Sequence, residues 1–109
     1  MKLTKKEQAA LQKFKTAVAK ALAGTLVEIR LFGSKARGDA RKDSDIDVLV
    51  VTSSEDWRVC NVVYDIATDL LLEADVCISP KVLNTEEFSH LGDAGNLFIK
   101  NVVDDGIIL

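Results

Sequence analysis

Leu11, Phe14, Val18 and Leu22 recur at three- and four-residue intervals, with Lys5, Lys6, Lys13 and Lys20 at other positions. That period gathers the apolar side chains on one stripe of a helix. Thr4 with Glu7 three residues later forms a capping box at its start, and Gly24 supplies a stop. From residue 25 to 32 the period changes to two. Val27, Ile29 and Leu31 would share one face of a strand, and Glu28, Arg30 and Phe32 the other. Residues 45–51, rich in β-branched side chains, predict a second strand. Ser53 or Ser54 then caps a second long helix, with Glu55 and Asp56 in its first turn and Val59, Val63, Ile66 and Leu70 as its apolar stripe. A third strand over 75–79 stops at Pro80, which cannot donate a ladder hydrogen bond. Phe98, Ile99, Val102 and Val103 suggest a final helix closed by Gly106, and residues 107–109 a short last strand.

The order α-β-β-α-β-α predicts the α/β (α+β) class: a small mixed sheet with helices packed on one face. If Val27, Ile29, Leu31, Ile46, Val48, Val50, Val76 and Ile78 point at those helices, the opposite face follows by alternation. It carries Glu28, Arg30, Asp45, Asp47, Asp75, Cys77 and Ser79. Three strands would then aim carboxylates at one side of the sheet.

Composition narrows the class without changing the fold. At 109 residues the chain suits one domain, 1–109, and its 48% hydrophobic and 28% charged content is that of a globular protein. No apolar run approaches the ~20 residues needed to cross a bilayer, and no apolar signal segment follows the N-terminal lysines. A net charge of -3 argues against a general nucleic-acid coat. Cys60 and Cys77 form no CxxC or Cys/His cluster, so they read as buried apolar residues in a reducing, cytoplasmic setting.

Chemistry is concentrated in one stretch. Asp45 and Asp47 lie two residues apart on a strand, on one face and about 6.6–6.8 Å apart along the chain. Two carboxylates at that spacing can grip a divalent ion, and oxygen-only ligands favour Mg²⁺ or Mn²⁺ over zinc. Without a cation the two charges repel and one pKa rises. Gly33 and Ser34 come directly after the first strand. Gly33 permits a tight turn and close backbone approach, and Ser34 could cap a short helix whose free N–H groups face an anion. Lys35, Arg37, Arg41 and Lys42 add positive charge where a triphosphate would need it.

Gly33-Ser34, ten intervening residues, then Asp45-Ile46-Asp47 resembles the signature of the DNA polymerase β-like nucleotidyltransferases. The fuller run from Gly33 to Val48 is similar to their minimal nucleotidyltransferase branch. The resemblance implies that a third carboxylate, Asp75, joins Asp45 and Asp47 as catalytic metal ligands, and the candidate nucleotide-contacting residues are Gly33, Ser34, Arg37 and Ser44. It implies transfer of a nucleoside monophosphate, usually AMP from ATP, onto an acceptor hydroxyl. It also implies a partner: members of this branch act as antitoxins that adenylylate a HEPN-domain toxin, with hetero- or homo-oligomers expected. Two alternatives stand beside that function, a binding module that neutralises its partner by contact alone, and transfer to a small hydroxylated molecule.

Other polar and aromatic residues read as bland. His90, in an expected loop, lacks a Cys or acidic neighbour in sequence; Trp57 and Tyr64 read as packing residues; Glu28 and Arg30 can pair across the open sheet face. There is no P-loop and no nucleophile-elbow motif.

Overall fold

The computed structural model describes residues 3–38 and 44–109. The first helix, α1 (Lys5–Ala21), starts on the expected capping box. The Glu7 N–H donates to Thr4 Oγ1 at 3.1 Å and the Thr4 N–H donates to Glu7 Oε1 at 3.0 Å. Strand β1 (Leu26–Phe32) leads into a single turn of helix, α2 (Gly33–Arg37), and then β2 (Ile46–Thr52). Helix α3 (Arg58–Ala74), β3 (Ile78–Asn84), α4 (Thr85–Asp93), α5 (Leu97–Asp105) and β4 (Ile107–Ile108) complete the order. The sheet order is β3-β2-β1-β4, with β2 and β3 parallel and the other pairs antiparallel.

β2 lies at the centre of the molecule. Ile46, Val48 and Val50 are fully buried against Phe14 and Val18 of α1 and Val63 of α3. Each such side chain contributes roughly 1.5–3 kcal/mol by leaving water, so this layer anchors the strand that carries the aspartates. Leu49 and Val51 are equally buried on the other face, against Val102, Phe32, Leu83 and Phe88. The expectation of helices on one face therefore holds for α1 and α3 but is incomplete, because α4 and α5 cover part of the second face. The near-continuous apolar run of β2 is that of a strand covered on both sides.

Several boundaries move for identifiable reasons. Val27 is exposed because the β1–β2 register shifts between Leu26 and Glu28, a bulge that takes it out of the alternation. α3 begins after Trp57 and not at Ser53 or Ser54. The Ser54 and Asp56 side chains instead accept from the Asp56 and Arg58 N–H groups, one turn feeding the next. β3 begins at Ile78, three residues later than expected, and runs through Pro80 to Asn84. An edge strand tolerates proline when its N faces outward. α4 is an addition to the expected order; its capping box, Asn84 with Glu87, follows Pro80 too closely to stand out. His90 consequently lies in the last turn of a helix, exposed, and not in a loop. Trp57 and Tyr64 are exposed rather than packed, and Cys77 is exposed rather than buried. The Glu28–Arg30 pair does form, at 3.1 Å. Gly106 closes α5 as expected, though in extended backbone.

Candidate active site

β1 ends with Phe32 opposite Asp47, so the turn after β1 lies directly over the start of β2. Gly33 makes that turn at φ +73°, and a Cβ there would collide with the Asp47 carboxylate. Left-handed backbone and the nearness of the Asp47 carboxylate both favour glycine here. α2 follows with Phe32 as N-cap and no side-chain cap, so Ser34 sits inside the first turn and does not cap it. Gly38 ends the turn at φ 83°, its N–H donating to the Ser34 carbonyl at 2.9 Å. The exposed Arg37 at the end of this turn acts on Asp47 electrostatically.

Asp45 is exposed at the entrance to β2 and Asp47 is half-buried. Burial, followed by repulsion from Asp45, pushes the Asp47 carboxyl above its ordinary value, while Arg37 and Lys81 act in the opposite direction. The expected repulsion of the acid pair is therefore present, with desolvation as the larger cause. Ionised Asp47 therefore weighs against the fold as pH rises above about 3.8, a load that a neighbouring cation removes. Beside the pair, burial and a hydrogen bond to Asp45 raise the Cys77 thiol. Ser79 stands opposite Asp47 across the β2–β3 ladder.

The expected third carboxylate, Asp75, comes from a helix end and not from a strand. Asp75 is the left-handed C-cap of α3 (φ 55°) and not the first residue of a strand, because the helix carries on to Ala74 and needs a residue that tolerates αL. Its side chain is 93% exposed, with Lys6 Nζ at 3.8 Å. Asp75 and the half-buried Ser44 share a groove of about 620 Å³ with Leu71 and Cys77. Among the described residues no three His, Cys, Asp or Glu side chains come together to hold a metal.

Lys35 also departs from expectation. It is 3% exposed, and its Nζ lies 2.7 Å from Glu7 Oε2 on α1. Its charge therefore ties the site turn to α1 and does not face a phosphate. Arg41 and Lys42 lie outside the described residues. Burial opposes ionisation of Glu7, but the bonds from Lys35 and Thr4 outweigh it and hold the carboxyl below its usual value. A lowered value means that the pair's stabilisation is complete above about pH 4.5 and is lost as pH falls below it. Glu7→Gln should leave a buried ammonium without its counter-charge and destabilise by about 3 kcal/mol at neutral pH. Thermal melts from pH 7 downward check this: the gap between wild type and variant should be wide at neutral pH, begin to shrink below about pH 4.5 and close as the pH falls through the lowered value of the carboxyl.

A family model for the nucleotidyltransferase domain matches residues 11–109. The chain belongs to the nucleotidyltransferase family. This nucleotidyltransferase is 35% identical over 103 residues to MJ0604 of Methanocaldococcus jannaschii, a proposed protein adenylyltransferase; the match spans 94% of this chain and 97% of the relative. Among solved structures it shares its fold with a toxin–antitoxin complex holding AMP-PNP, at TM-score 0.56 and 22% identity over 87% of this chain and 68% of that one. A tyrosine-to-alanine mutant of the MntA–HpeT toxin–antitoxin pair gives the same TM-score at 21% identity, over 99% and 72%. No helix among the described residues is long and apolar enough to cross a membrane.

Sequence reasoning misses one residue of this nucleotidyltransferase's acid face. Lys81 follows Cys77 and Ser79 in the alternation of β3 and stands on the same face, exposed. The signal is present in the two-residue period, but proline at 80 reads as the end of the strand.

Proposed function

We propose that this nucleotidyltransferase uses Mg²⁺ or Mn²⁺ to move AMP from ATP onto a hydroxyl of a partner protein, as an antitoxin does to a HEPN toxin. The observation that carries this reading is Gly33 packed on Asp47, which joins the α2 turn to the acid pair as one cradle. Donor chemistry fits a hard cation: Asp45 and Asp47 offer only carboxylate oxygens, and Mg²⁺ is commonly held by one or two carboxylates with substrate phosphates and water at its other positions. When bound, the ion would neutralise charge on the phosphate undergoing transfer. The chain's own residues supply position. The Gly33–Arg37 turn holds the phosphate chain beside the carboxylates, with Ser34 and Ser44 as further polar contacts, and Arg37 balances its charge. Catalysis of this kind consists mainly of orientation and electrostatic stabilisation. Support for a protein acceptor comes from the near full-length likeness to MJ0604, and support for ATP from the AMP-PNP complex that shares the fold.

Asp75 enters this proposal as an auxiliary group only. Its place against Lys6 predicts that Asp75→Asn weakens metal-dependent nucleotide binding by less than about threefold, whereas removing a group that orients a metal ligand typically costs about 10–100-fold. Calorimetric titration of the two kinds of variant side by side separates these cases.

The two-carboxylate set also favours a second reading, a module that silences its partner by contact with little turnover. Incubation with labelled ATP and the partner decides between them. Label on the partner's hydroxyl, lost in Asp45→Asn/Asp47→Asn together with neutralisation, supports transfer. Neutralisation that survives the double substitution supports contact.

A further inference from the structure

We infer that Lys81, carried past Pro80 onto the acid face of the sheet, grips the nucleotide's phosphate chain from the β3 side, opposite Arg37. The inference rests on the proposed nucleotidyl transfer and adds a substrate-binding residue to it.

In the parallel β2–β3 ladder Ser79 stands opposite Asp47 and Lys81 opposite Leu49. Strand alternation puts Asp45, Asp47, Cys77, Ser79 and Lys81 on one face. Leu49 is sealed beneath α4 and α5, so the flexible, exposed side chain at Lys81 is shut out from that end of the face and has room past the strand edge and toward the uncovered end, where the aspartates are. Its charge is felt there, since Lys81 and Arg37 are the two cations that oppose the rise in the Asp47 carboxyl.

A triphosphate carries several negative charges into a site that already holds two carboxylates. Lys35, the cation nearest in sequence to the signature glycine, is buried on Glu7. Arg30 is engaged with Glu28 at 3.1 Å on the same strand, and Arg58 with Asp56 at 2.8 Å. Lys6 leans on Asp75. Lys81 appears in none of the ion pairs among the described residues. Arg37, on α2 after β1, and Lys81, on β3, come from the two elements that neighbour the start of β2, and both act on Asp47. This arrangement suits a polyanion laid across the start of β2.

A merely structural role, balancing Asp47 in the empty protein, predicts different behaviour. Removing a balancing cation would strengthen divalent-ion binding and leave anion affinity untouched. The test is titration of the full chain with inorganic tripolyphosphate and with ATP, each with and without Mg²⁺, and with Mn²⁺ alone, for wild type, Lys81→Gln and Lys81→Arg. Lys81 is exposed, so neither variant threatens the fold. The expected result is a loss of about tenfold for both tripolyphosphate and ATP in Lys81→Gln, recovered in Lys81→Arg, with Mn²⁺ affinity equal to or above wild type. Tripolyphosphate and ATP affinities within twofold of wild type in Lys81→Gln would overturn the inference and leave nucleotidyl transfer standing. A wild-type chain that binds neither ATP nor tripolyphosphate would remove the underlying reading, and the inference with it.

Discussion

Asp47→Asn is expected to abolish metal-dependent nucleotide binding and to slow AMP transfer on the order of 10³-fold, without weakening the fold. The two halves have one cause. Asp47 is half-buried beside Asp45, and burial with that repulsion already disfavours its ionised form. Asparagine keeps the shape and removes the charge, so the ligand disappears and so does the load it placed on the empty protein. A thermal midpoint at pH 7 equal to or above wild type, together with lost Mg²⁺-dependent ATP binding, is the expected pair of measurements. A loss of stability in step with the loss of binding would show Asp47 to be structural. Retained Mg²⁺-dependent binding would show that these carboxylates do not hold the ion.

Gly33→Ala should have the second largest effect, and Gly24→Ala is its internal control. Both glycines have positive φ, +73° and +84°, so alanine is strained by about 1–2 kcal/mol at either. Nothing lies within 4 Å of a Cβ at Gly24, whereas at Gly33 the added carbon meets the Asp47 carboxylate. Overpacking typically adds ~1–3 kcal/mol, giving roughly 2–5 kcal/mol in all for Gly33→Ala. Function should suffer more than stability. If Asp47 holds the ion as proposed, displacing its carboxylate by even ~1 Å is enough to cost about 10²-fold in rate. Chemical denaturation of both variants, with ATP titration of each, checks this. Equal destabilisation with ATP binding preserved in both would remove the cradle from the account of the site.

The parts of this molecule that are legible in its sequence are those where one local rule acts alone. The Thr4/Glu7 capping box, the apolar stripe of α1 and the alternation of β2 need no tertiary information. Glycine at 33 is readable as a turn, but its contact with Asp47 depends on the antiparallel register that sets Phe32 opposite that aspartate. Where two rules compete, the sequence misleads. Pro80 is a strand stop on a central strand and harmless on an edge, and nothing local says which strand is at the edge. From that ambiguity comes the loss of Lys81 and of α4. Asp75 fits a strand start by alternation and a helix C-cap by tolerance of αL, and the length of α3 decides for the cap. Lys35 looks solvated because its sequence neighbours are polar; its counter-ion, Glu7, comes from a helix 28 positions earlier whose docking no short motif records.

Pro80 has one more effect. β3 is an outer strand of the sheet, and an outer strand offers a ladder of unsatisfied backbone groups on which another polypeptide can polymerise. A residue without an N–H near the middle of that ladder, followed at once by the solvated charge of Lys81, breaks the template into two short pieces. The sheet can thus carry an outer rim beside the acid face without inviting amyloid-like stacking, and the rim resists zipping to its own kind.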